Sequence, residues 1–370
     1  MSSAIKTAYE VTAEDGAAAD QIAERIALEQ SAELPKQSAM NQPHSVPLGE
    51  VQSVRQLSGN RHRIEILFPA ELFGDDRLQL INVLFGNVSL LPGIRLVDVD
   101  WKAVGRLFPG PGFGIDGVRE EMQIFNRPLS CAALKPIGLT ANELADLFYQ
   151  FGGGGFDLIK DDHGLTNQPS APFAERLESC RIAAERVQQE GGRPVAYVPN
   201  VTGSPDEVRY RLELCRKADL RFVMLSPHLS GFESLTWPQE YGLGALAHPA
   251  FSGSMVIQAE SGIEPRLLYG EIWRAFGADG VIYPNAGGRF VLDNQDCQAL
   301  NQAVRNPELP WKPGWPVPGG GIQRDTIGDW ISRYGNDTIF LIGGSLYEAP
   351  EGLEQASASF TQTLQEKGTS

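Results

Sequence analysis

From Cys131 onward, short apolar stretches alternate with amphipathic helical stretches, and this alternation restricts the fold more than any other feature. Segments such as TANELADLFYQF and SPDEVRYRLELCRKA carry the apolar spacing of helices. The apolar stretches are CAALKPI, FDLIKDD, PVAYVPNV, LRFVMLSP, GALAHP, DGVIYPN, GWPVPGG and DTIFLIGG. Eight apolar strands, each followed by a helix, predict an α/β fold, a (β/α)8 TIM barrel over residues 128–370.

A doubly wound open sheet is the alternative fold for this region. The count of eight favours the barrel, and no dinucleotide-binding fingerprint follows the first strand. The glycines of FGGGGF precede a strand instead of opening a helix. We therefore expect them to end the preceding helix and to form a tight turn into the strand.

Residues 1–127 mix strands and helices in a different order. The stretches AIKTAYEVT, HRIEILFP and GIRLVDVDWKA are predicted strands, and Asp15–Leu34 and Arg77–Phe85 are predicted helices. This order predicts a small α+β domain of the ferredoxin-like kind, with an antiparallel sheet. The Gly- and Pro-rich segment from Phe108 to Met122 is predicted to connect the two domains.

Composition and charge exclude several classes of partner. A formal net charge of −15 argues against a general nucleic-acid or anionic-membrane surface, and no apolar run approaches the roughly 18 residues of a membrane span. The N-terminal segment lacks the cationic start and apolar core of a signal peptide. The four scattered cysteines are predicted to be reduced in a cytoplasmic protein. We expect a small-molecule ligand, with no nucleic-acid or membrane partner.

Polar side chains follow almost every predicted barrel strand. The active site of a TIM barrel lies at the C-terminal ends of its strands, so these side chains should share one rim. In chain order they are Lys135, Lys160, Asp162, His163, Asn200, His228, His248, Asn285 and Arg289.

Lys160 and Asp162 should project to the same face of their strand, with Asp161 on the opposite face. One interpretation is an ion pair that caps the barrel mouth, and the other is a metal or catalytic site together with His163. A lysine ammonium has no acceptor for a metal ion. A carbamylated Lys160 would instead present a carboxylate and so create an oxygen-rich divalent site.

Glycine pairs follow the seventh and eighth strands, where TIM barrels commonly bind phosphate through backbone N–H groups. These residues are Gly320, Gly321, Gly343 and Gly344. Tight turns without a ligand are the alternative. The loop NAGGRF has glycine hinges and one cation, Arg289, and it could form a lid over a substrate.

These motifs resemble those of the ribulose-bisphosphate carboxylase (RuBisCO) large-subunit superfamily, specifically its non-carboxylating RuBisCO-like proteins of form IV. LKPIGLT resembles the strand-1 lysine motif, and GGGFDLIKDDHGLTNQP resembles the motif of the carbamylated lysine and the metal ligands. GADGVIYPNAGGRF resembles the loop that closes over substrate, and PVPGGGIQ and IGGSL resemble phosphate-binding turns. The resemblance covers nearly the whole chain.

The resemblance implies roles for individual residues. Lys135 matches the lysine that contacts the enolate region of the substrate, Lys160 the lysine carbamylated by CO2, and Asp162 a metal-binding carboxylate. His248 matches the strand-5 histidine, and Arg289 lies at the position of the lid lysine. One phosphate site is implied at Gly320, Gly321, Gly343 and Gly344.

The resemblance also implies a homodimer with shared active sites. In the family, the positions of Glu29 and Asn87 reach into the active site of the partner subunit.

Several positions depart from the carboxylase pattern. His163 stands in place of the second metal-binding glutamate, and Ile137 in place of a lysine that carboxylation requires. Pro249 and Gly319 replace residues of the second phosphate site. The resemblance therefore implies a monophosphate with a less polar far end, and it does not imply carbon dioxide fixation.

A divalent ion beside a lysine suits the removal of a proton next to a ketone, which gives an enediolate. The expected ion is Mg2+, or Mn2+ or another softer ion because His163 is an imidazole. We favour an isomerase of the 5-methylthioribulose-1-phosphate type, with Lys135 as the base. One alternative is a diketone-phosphate enolase of methionine salvage. Another is a decarboxylase, which would be a lyase, or a hydrolase of a β-keto sugar-acid phosphate. The last is a non-catalytic sugar-phosphate-binding protein.

Overall fold

The computed structural model describes residues 4–42, 44–290 and 292–368, and contacts divide the chain into two compact units. The first unit contains the described residues up to Phe108, together with Ser252–Leu268 and Glu308–Pro310. The second unit contains Pro109–Phe251, Tyr269–Pro307 and the described residues from Trp311 onward.

The strands and helices follow one another along the whole chain. The strands are β1 (Ile5–Thr12), β2 (Glu50–Ser58), β3 (Arg61–Phe68), β4 (Ile94–Val99), β5 (Leu129–Leu134), β6 (Leu158–Asp161), β7 (Ala196–Val198), β8 (Phe222–Leu225), β9 (Gly244–Ala247), β10 (Gly262–Ile263), β11 (Ala278–Pro284), β12 (Trp315–Gly319) and β13 (Ile339–Ile342). The α-helices are α1 (Gly16–Glu29), α2 (Lys36–Met40), α3 (Arg77–Phe85), α4 (Gly114–Met122), α5 (Ala141–Gly153), α6 (Phe173–Gln189), α7 (Pro205–Lys217), α8 (Pro227–Ser230), α9 (Trp237–Glu240), α10 (Gly253–Val256), α11 (Trp273–Phe276), α12 (Asn294–Arg305), α13 (Ile327–Tyr334), α14 (Gly344–Tyr347) and α15 (Leu353–Gly368). A π-helical segment, Arg266–Ile272, precedes α11.

The first unit is built on a five-stranded sheet with the order β10-β4-β1-β3-β2. Its pairs are antiparallel except for the short β10, which runs parallel to β4. The chain order β1-α1-β2-β3-α3-β4 and the antiparallel sheet confirm the predicted ferredoxin-like α+β architecture.

Two details of the first unit differ from the sequence prediction. Helix α1 ends at Glu29 and not at Leu34, because the N–H groups of residues 31–33 all bond back to the carbonyl oxygen of Leu28 and Glu33 adopts a positive φ of 51°. The mostly exposed strand β2 was not predicted, because its polar sequence EVQSVRQLS lacks the apolar alternation of a half-buried strand.

The second unit is the predicted barrel. Its eight strands are all parallel in the order β7-β6-β5-β13-β12-β11-β9-β8, and each predicted barrel strand is present. The barrel closes between β7 and β8, where Asn200 forms a bridge with Met224. The N–H of Val201 donates to the carbonyl oxygen of Met224 at 2.8 Å, and the N–H of Met224 donates to the carbonyl oxygen of Pro199 at 2.9 Å. The interior is filled by buried side chains that include Leu129, Cys131, Leu158, Val198, Met224, Leu246, Ile282 and Val317. No helix among the described residues is long and apolar enough to cross a membrane.

Residues 109–127 were predicted to lie in the first domain, yet their contacts place them with the barrel unit. The reason is a buried carboxylate, Asp279, on β11. Its Oδ1 accepts hydrogen bonds from the N–H groups of Phe113 (2.7 Å) and Gly114 (2.8 Å) at the start of α4. Its Oδ2 accepts a bond from the N–H of Ala245 in β9, at 2.9 Å. One carboxylate thus holds α4 against two strands.

We expect Asp279→Asn to lower the free energy of unfolding by about 1–3 kcal/mol, because the amide NH2 would face the N–H of Ala245 and leave two donors opposed. Urea unfolding followed by circular dichroism measures this. Glu120→Gln on the exposed part of α4 is the control and should change stability by less than about 0.5 kcal/mol. Equal stability of the two variants would contradict the assigned role.

Candidate active site

The predicted site residues of the barrel lie at the C-terminal ends of its strands. Lys135 directly follows β5, His248 follows β9, and Asn285 follows β11. The two glycine pairs follow β12 and β13. The sequence therefore placed these residues on the correct rim, and the contacts show which of them meet.

Lys160 lies within β6, between Ala133 of β5 and Val198 of β7 in the register of the sheet. It is only 2% exposed, and its Nζ donates a hydrogen bond of 2.9 Å to the carbonyl oxygen of Asp161. Burial lowers the pKa of Lys160 below its ordinary value, although Cys131 and Asp162 act in the opposite direction.

Asp161 projects to the opposite side of β6, as the alternation of strand residues predicts. Its fully buried carboxylate accepts bonds from the guanidinium of Arg176, from the hydroxyl of Tyr197 (2.8 Å) and from the N–H of Asn200 (2.9 Å). The side-chain amide of Asn200 in turn donates to the carbonyl oxygen of His163, at 2.8 Å. Asp161 and Asn200 therefore fix the turn that carries the functional groups.

Asp162 connects three neighbours at the rim. Its Oδ1 lies 3.3 Å from Nζ of Lys135, and its Oδ2 lies 3.2 Å from Nδ1 of His163 and accepts the N–H of Gly164. Burial opposes ionisation of this carboxyl. The hydrogen bond from His163 and the charges of Lys160 and Lys135 outweigh that effect and hold the pKa of Asp162 below its usual range. Asp162 is therefore an anion between two lysines.

The rings of His163 and His248 are parallel, with an interplanar angle of 2° and centroids 5.0 Å apart. Nδ1 of His248 accepts a hydrogen bond of 3.1 Å from the N–H of Ala250, so a neutral His248 carries its proton on Nε2. Burial, followed by the charge of Lys160, lowers the pKa of His248 well below its ordinary value. The side chain of His163 is half exposed at the mouth of the site.

The donor set here is small. Among the residues that the structure describes, no group of three His, Cys, Asp or Glu side chains is placed to hold a metal ion. Asp162 and His163 offer one carboxylate and one imidazole side by side.

The predicted lid and the turn after β12 touch through their backbones. A Cβ on Gly321 would lie 2.9 Å from the backbone nitrogen of Gly288, and the positive φ of 70° at Gly321 also favours glycine. Asn285 is the first residue of the predicted lid, and its Oδ1 accepts a bond of 2.7 Å from the hydroxyl of Tyr334. Arg289 is exposed and lies over the ring of Phe290, with 5.0 Å from its guanidinium carbon to the ring centroid.

The other glycine pair is unlike this one. A Cβ on Gly343 or on Gly344 would meet no atom within 4 Å, so packing does not require glycine at either position. Gly344 is the first residue of α14, and Tyr347 is the last. The hydroxyl of Tyr347 contacts the backbone of Lys135, a contact that no pattern in the sequence predicts because the two residues lie far apart in the chain.

Glu29 and Asn87 are brought together in the first unit. The side-chain amide of Asn87 donates to Oε1 of Glu29 at 3.1 Å and to Oε1 of Glu33 at 2.6 Å. Asn87 is exposed, so this polar group is accessible. Its predicted role in the site of a partner subunit stays a prediction.

His228 does not join the cluster around Asp162. Its ring lies against those of Phe232 and Trp273, with centroids 5.0 and 5.7 Å away. Burial lowers the pKa of His228 to about 4. These contacts favour a structural role for a neutral imidazole.

Comparison with known proteins identifies relatives over the full length of the chain. Residues 114–367 match the model of the ribulose bisphosphate carboxylase large chain, catalytic domain. Ribulose bisphosphate carboxylase-like protein 1 of Rhodopseudomonas palustris is 37% identical, over 100% of this chain and 99% of that protein. The 5-methylthioribulose-1-phosphate isomerase of Rhodospirillum rubrum is 33% identical, over 98% and 97%. A 2,3-diketo-5-methylthiopentyl-1-phosphate enolase of Geobacillus kaustophilus is 32% identical, over 86% and 79%.

A solved structure shows the same similarity. The crystal structure of a RuBisCO-like protein from Rhodopseudomonas palustris has a TM-score of 0.88 and 33% identity, and the alignment covers 99% of both chains.

The environment of His228 predicts a pH dependence of stability. The unfolded chain takes up a proton at this residue near pH 6.5, whereas the folded chain does so near pH 4. The contribution of the neutral His228 is therefore complete above about pH 6.5 and is lost as the pH falls toward 4. In urea unfolding, wild type should lose more stability between pH 7.5 and 4.5 than His228→Gln. Parallel losses would show that folding does not suppress protonation of His228.

Proposed function

The chain belongs to the ribulose bisphosphate carboxylase large-chain family, and from this premise we propose that it isomerises a ketose monophosphate of the 5-methylthioribulose-1-phosphate type. The observation that carries the proposal is the cluster at the barrel rim. Nζ of Lys135 lies 3.3 Å from Asp162, which directly follows β6 and is two residues from Lys160, so that Lys160 and Asp162 project to the same side. The 33% identity to the Rhodospirillum rubrum isomerase supports the choice of reaction.

Lys135 is the proposed base. In its neutral form it takes the proton from the carbon next to the substrate carbonyl, and the electron pair left behind gives an enediolate. Lys135 then returns a proton to the former carbonyl carbon, and the hydroxyl proton of the first carbon passes to the former carbonyl oxygen, so that the carbonyl group moves by one position and no atom is lost or gained. Asp162 orients the lysine, and His248 donates from Nε2 to an oxygen of the substrate.

The residues at the rim suit a divalent ion. The neutral amine of Lys160 is the form that combines with CO2, which gives a carbamate and releases a proton. Carbamate oxygens, the carboxylate of Asp162 and the imidazole of His163 would then hold the ion. Imidazole suits Mn2+, Fe2+, Co2+ or Zn2+ better than it suits the hard Mg2+ that the carboxylases use. When bound, such an ion withdraws electron density from the substrate carbonyl and acidifies the adjacent C–H.

The rest of the site supports a monophosphate with an apolar far end. The open turn at Gly343 and Gly344 is the proposed phosphate site, together with Gly320 and Gly321. Ile137 is 51% exposed and contacts the turn beside the proposed metal ligands, because a Cβ on Gly164 would lie 2.6 Å from its Cδ1. Such an apolar surface would contact a methylthio group better than a second phosphate. Arg289 on the lid would close over the bound substrate.

Enolisation of 2,3-diketo-5-methylthiopentyl 1-phosphate is the second candidate reaction. The specific observation in its favour is the 32% identity to the enolase of Geobacillus kaustophilus. The same residues can serve it, because enolisation also begins with loss of a proton next to a carbonyl. His163 favours the isomerase, since the enolase pattern keeps a glutamate at this position.

We further propose that the enzyme is a homodimer in which Glu29 and Asn87 complete the active site of the partner subunit. Their mutual hydrogen bond and the exposure of Asn87 support this role.

The first test of the reaction is proton NMR in D2O with 5-methylthioribulose 1-phosphate and, separately, with the diketone phosphate, each with Mn2+ and bicarbonate. We expect deuterium incorporation and product from the first substrate. Lys135→Met should slow the exchange by roughly 10²–10⁴-fold, as expected for the loss of a general base. Exchange only with the diketone would favour the enolase, and exchange with neither substrate would exclude both reactions.

The second test concerns the ion. Titration of Mn2+ followed by electron paramagnetic resonance should show that bicarbonate increases the affinity of the wild type. Lys160→Met should bind Mn2+ more weakly and should lose the bicarbonate effect, because no carbamate can form. Lys217→Met, which removes an exposed lysine of α7, is the control and should keep both properties. An unchanged bicarbonate effect in Lys160→Met would exclude the carbamate at this residue.

A further inference from the structure

The hydroxyl of Tyr347 lies between two backbone groups at the end of β5. It accepts a hydrogen bond of 2.9 Å from the N–H of Lys135 and donates one of 2.9 Å to the carbonyl oxygen of Ala133. Tyr347 is the last residue of α14, the short helix that follows β13. The side chain of Tyr347, which follows the last barrel strand, thus holds the backbone of Lys135, the proposed base.

The sheet explains why this hydroxyl is needed. On one side, β5 pairs with β6 up to the pair of Leu134 with Asp161. On the other side, its pairing with β13 ends earlier, at Ala132 with Ile342, because the chain then turns away at Gly343. In a parallel ladder, the carbonyl before Leu134 and the N–H after it would both bond to one residue of the neighbouring strand. The hydroxyl of Tyr347 acts in place of that missing residue, as both donor and acceptor.

The ring of Tyr347 is held in place by its own packing. It meets the ring of the buried Phe151 edge-on, with centroids 5.6 Å apart and an interplanar angle of 79°. Burial raises the pKa of Tyr347 above its ordinary value, so the hydroxyl keeps the proton that it donates to Ala133. The packing of the ring and the hydrogen bond to Ala133 therefore both hold the hydroxyl beside the N–H of Lys135.

We propose that Tyr347 is a positioning residue for proton transfer, which fixes the backbone of Lys135 and so keeps its Nζ beside Asp162. This inference rests on the role proposed above for Lys135. Since α14 begins at Gly344 and ends at Tyr347, one short helix also links the proposed phosphate turn to the proposed base. Helix α14 would thus place both the substrate phosphate, at Gly344, and the base that removes the proton, through Tyr347.

The variant that tests this is Tyr347→Phe, which removes the hydroxyl and keeps the ring. We expect kcat for the ketose monophosphate to fall by roughly 10–100-fold, because a misplaced catalytic group costs a factor of this order. KM should stay within about twofold, since the phosphate turn is unchanged. A rise in KM with unchanged kcat would overturn the proposal, because the hydroxyl would then serve substrate binding.

Tyr9→Phe is the matched control. Tyr9 is fully buried in the first unit, and its hydroxyl also donates to a backbone carbonyl, that of Leu84, at 2.6 Å. Both variants lose one hydroxyl that donates to a backbone carbonyl, and both should lower the thermal unfolding temperature, while only Tyr347→Phe should lose kcat. Equal kcat losses in the two variants would show a general effect of stability and would overturn the positioning role.

A second readout does not need turnover. The side chain of Lys135 is 40% exposed, whereas Lys160 is buried, so an amine reagent such as trinitrobenzenesulfonate should label Lys135 and not Lys160, and peptide mass spectrometry separates this label from that on more exposed lysines such as Lys217. Labelling should be faster in Tyr347→Phe than in wild type or Tyr9→Phe, because the amine leaves Asp162 more often. Faster labelling in an enzyme that turns over no sugar phosphate would support the positioning of Lys135 and reject the proposed reaction. Unchanged labelling would overturn the inference itself.

Wild type alone provides a test if Tyr347→Phe does not fold. The amide of Lys135 should exchange with D2O as slowly as the ladder amides of β5, because it donates to the hydroxyl of Tyr347, which the ring packing against Phe151 holds in place. Exchange at the rate of an unprotected amide would overturn the proposal.

Discussion

The buried carboxylate of Asp161 is the interaction on which the candidate site depends. It collects hydrogen bonds from Arg176 on α6, from Tyr197 on β7 and from the backbone N–H of Asn200. Because side chains alternate along β6, fixing Asp161 on the outer side forces its two neighbours to the inside. Lys160 and Asp162 therefore face the barrel mouth because the hydrogen bonds of Asp161 fix the opposite side of the strand.

The electrostatics of the mouth follow from that placement. One carboxylate, Asp162, lies among Lys135, Lys160 and His163, and His248 packs against the last of these. An excess of cationic and neutral nitrogen groups around one anion suits an anionic substrate and the negative charge of an enediolate. Sequence charge alone would not indicate this, since the whole chain carries a net charge of −15.

Most of the barrel and the location of its site could be predicted from the sequence, because both follow from local patterns. Continuous apolar runs identified all eight barrel strands, and the residues that end them identified the rim. The places where prediction failed share a cause. Strand β2 has no apolar alternation and exists because β3 pairs with it, and residues 109–127 join the barrel unit because the distant Asp279 binds the start of α4.

The sequence by itself determined the chain order of the eight barrel strands, the side of the strand β6 and its following turn that carries Lys160 and Asp162, and the departures at His163 and Ile137 from the carboxylase pattern. These depend on residue type and on periods of two or of about 3.6 residues, which are local properties of the chain. Only the tertiary structure decided that Tyr347 holds the backbone of Lys135, because the pairing of β13 with β5 stops two residues before β5 ends. Such a contact joins residues far apart in the chain, and it exists only once the barrel has closed.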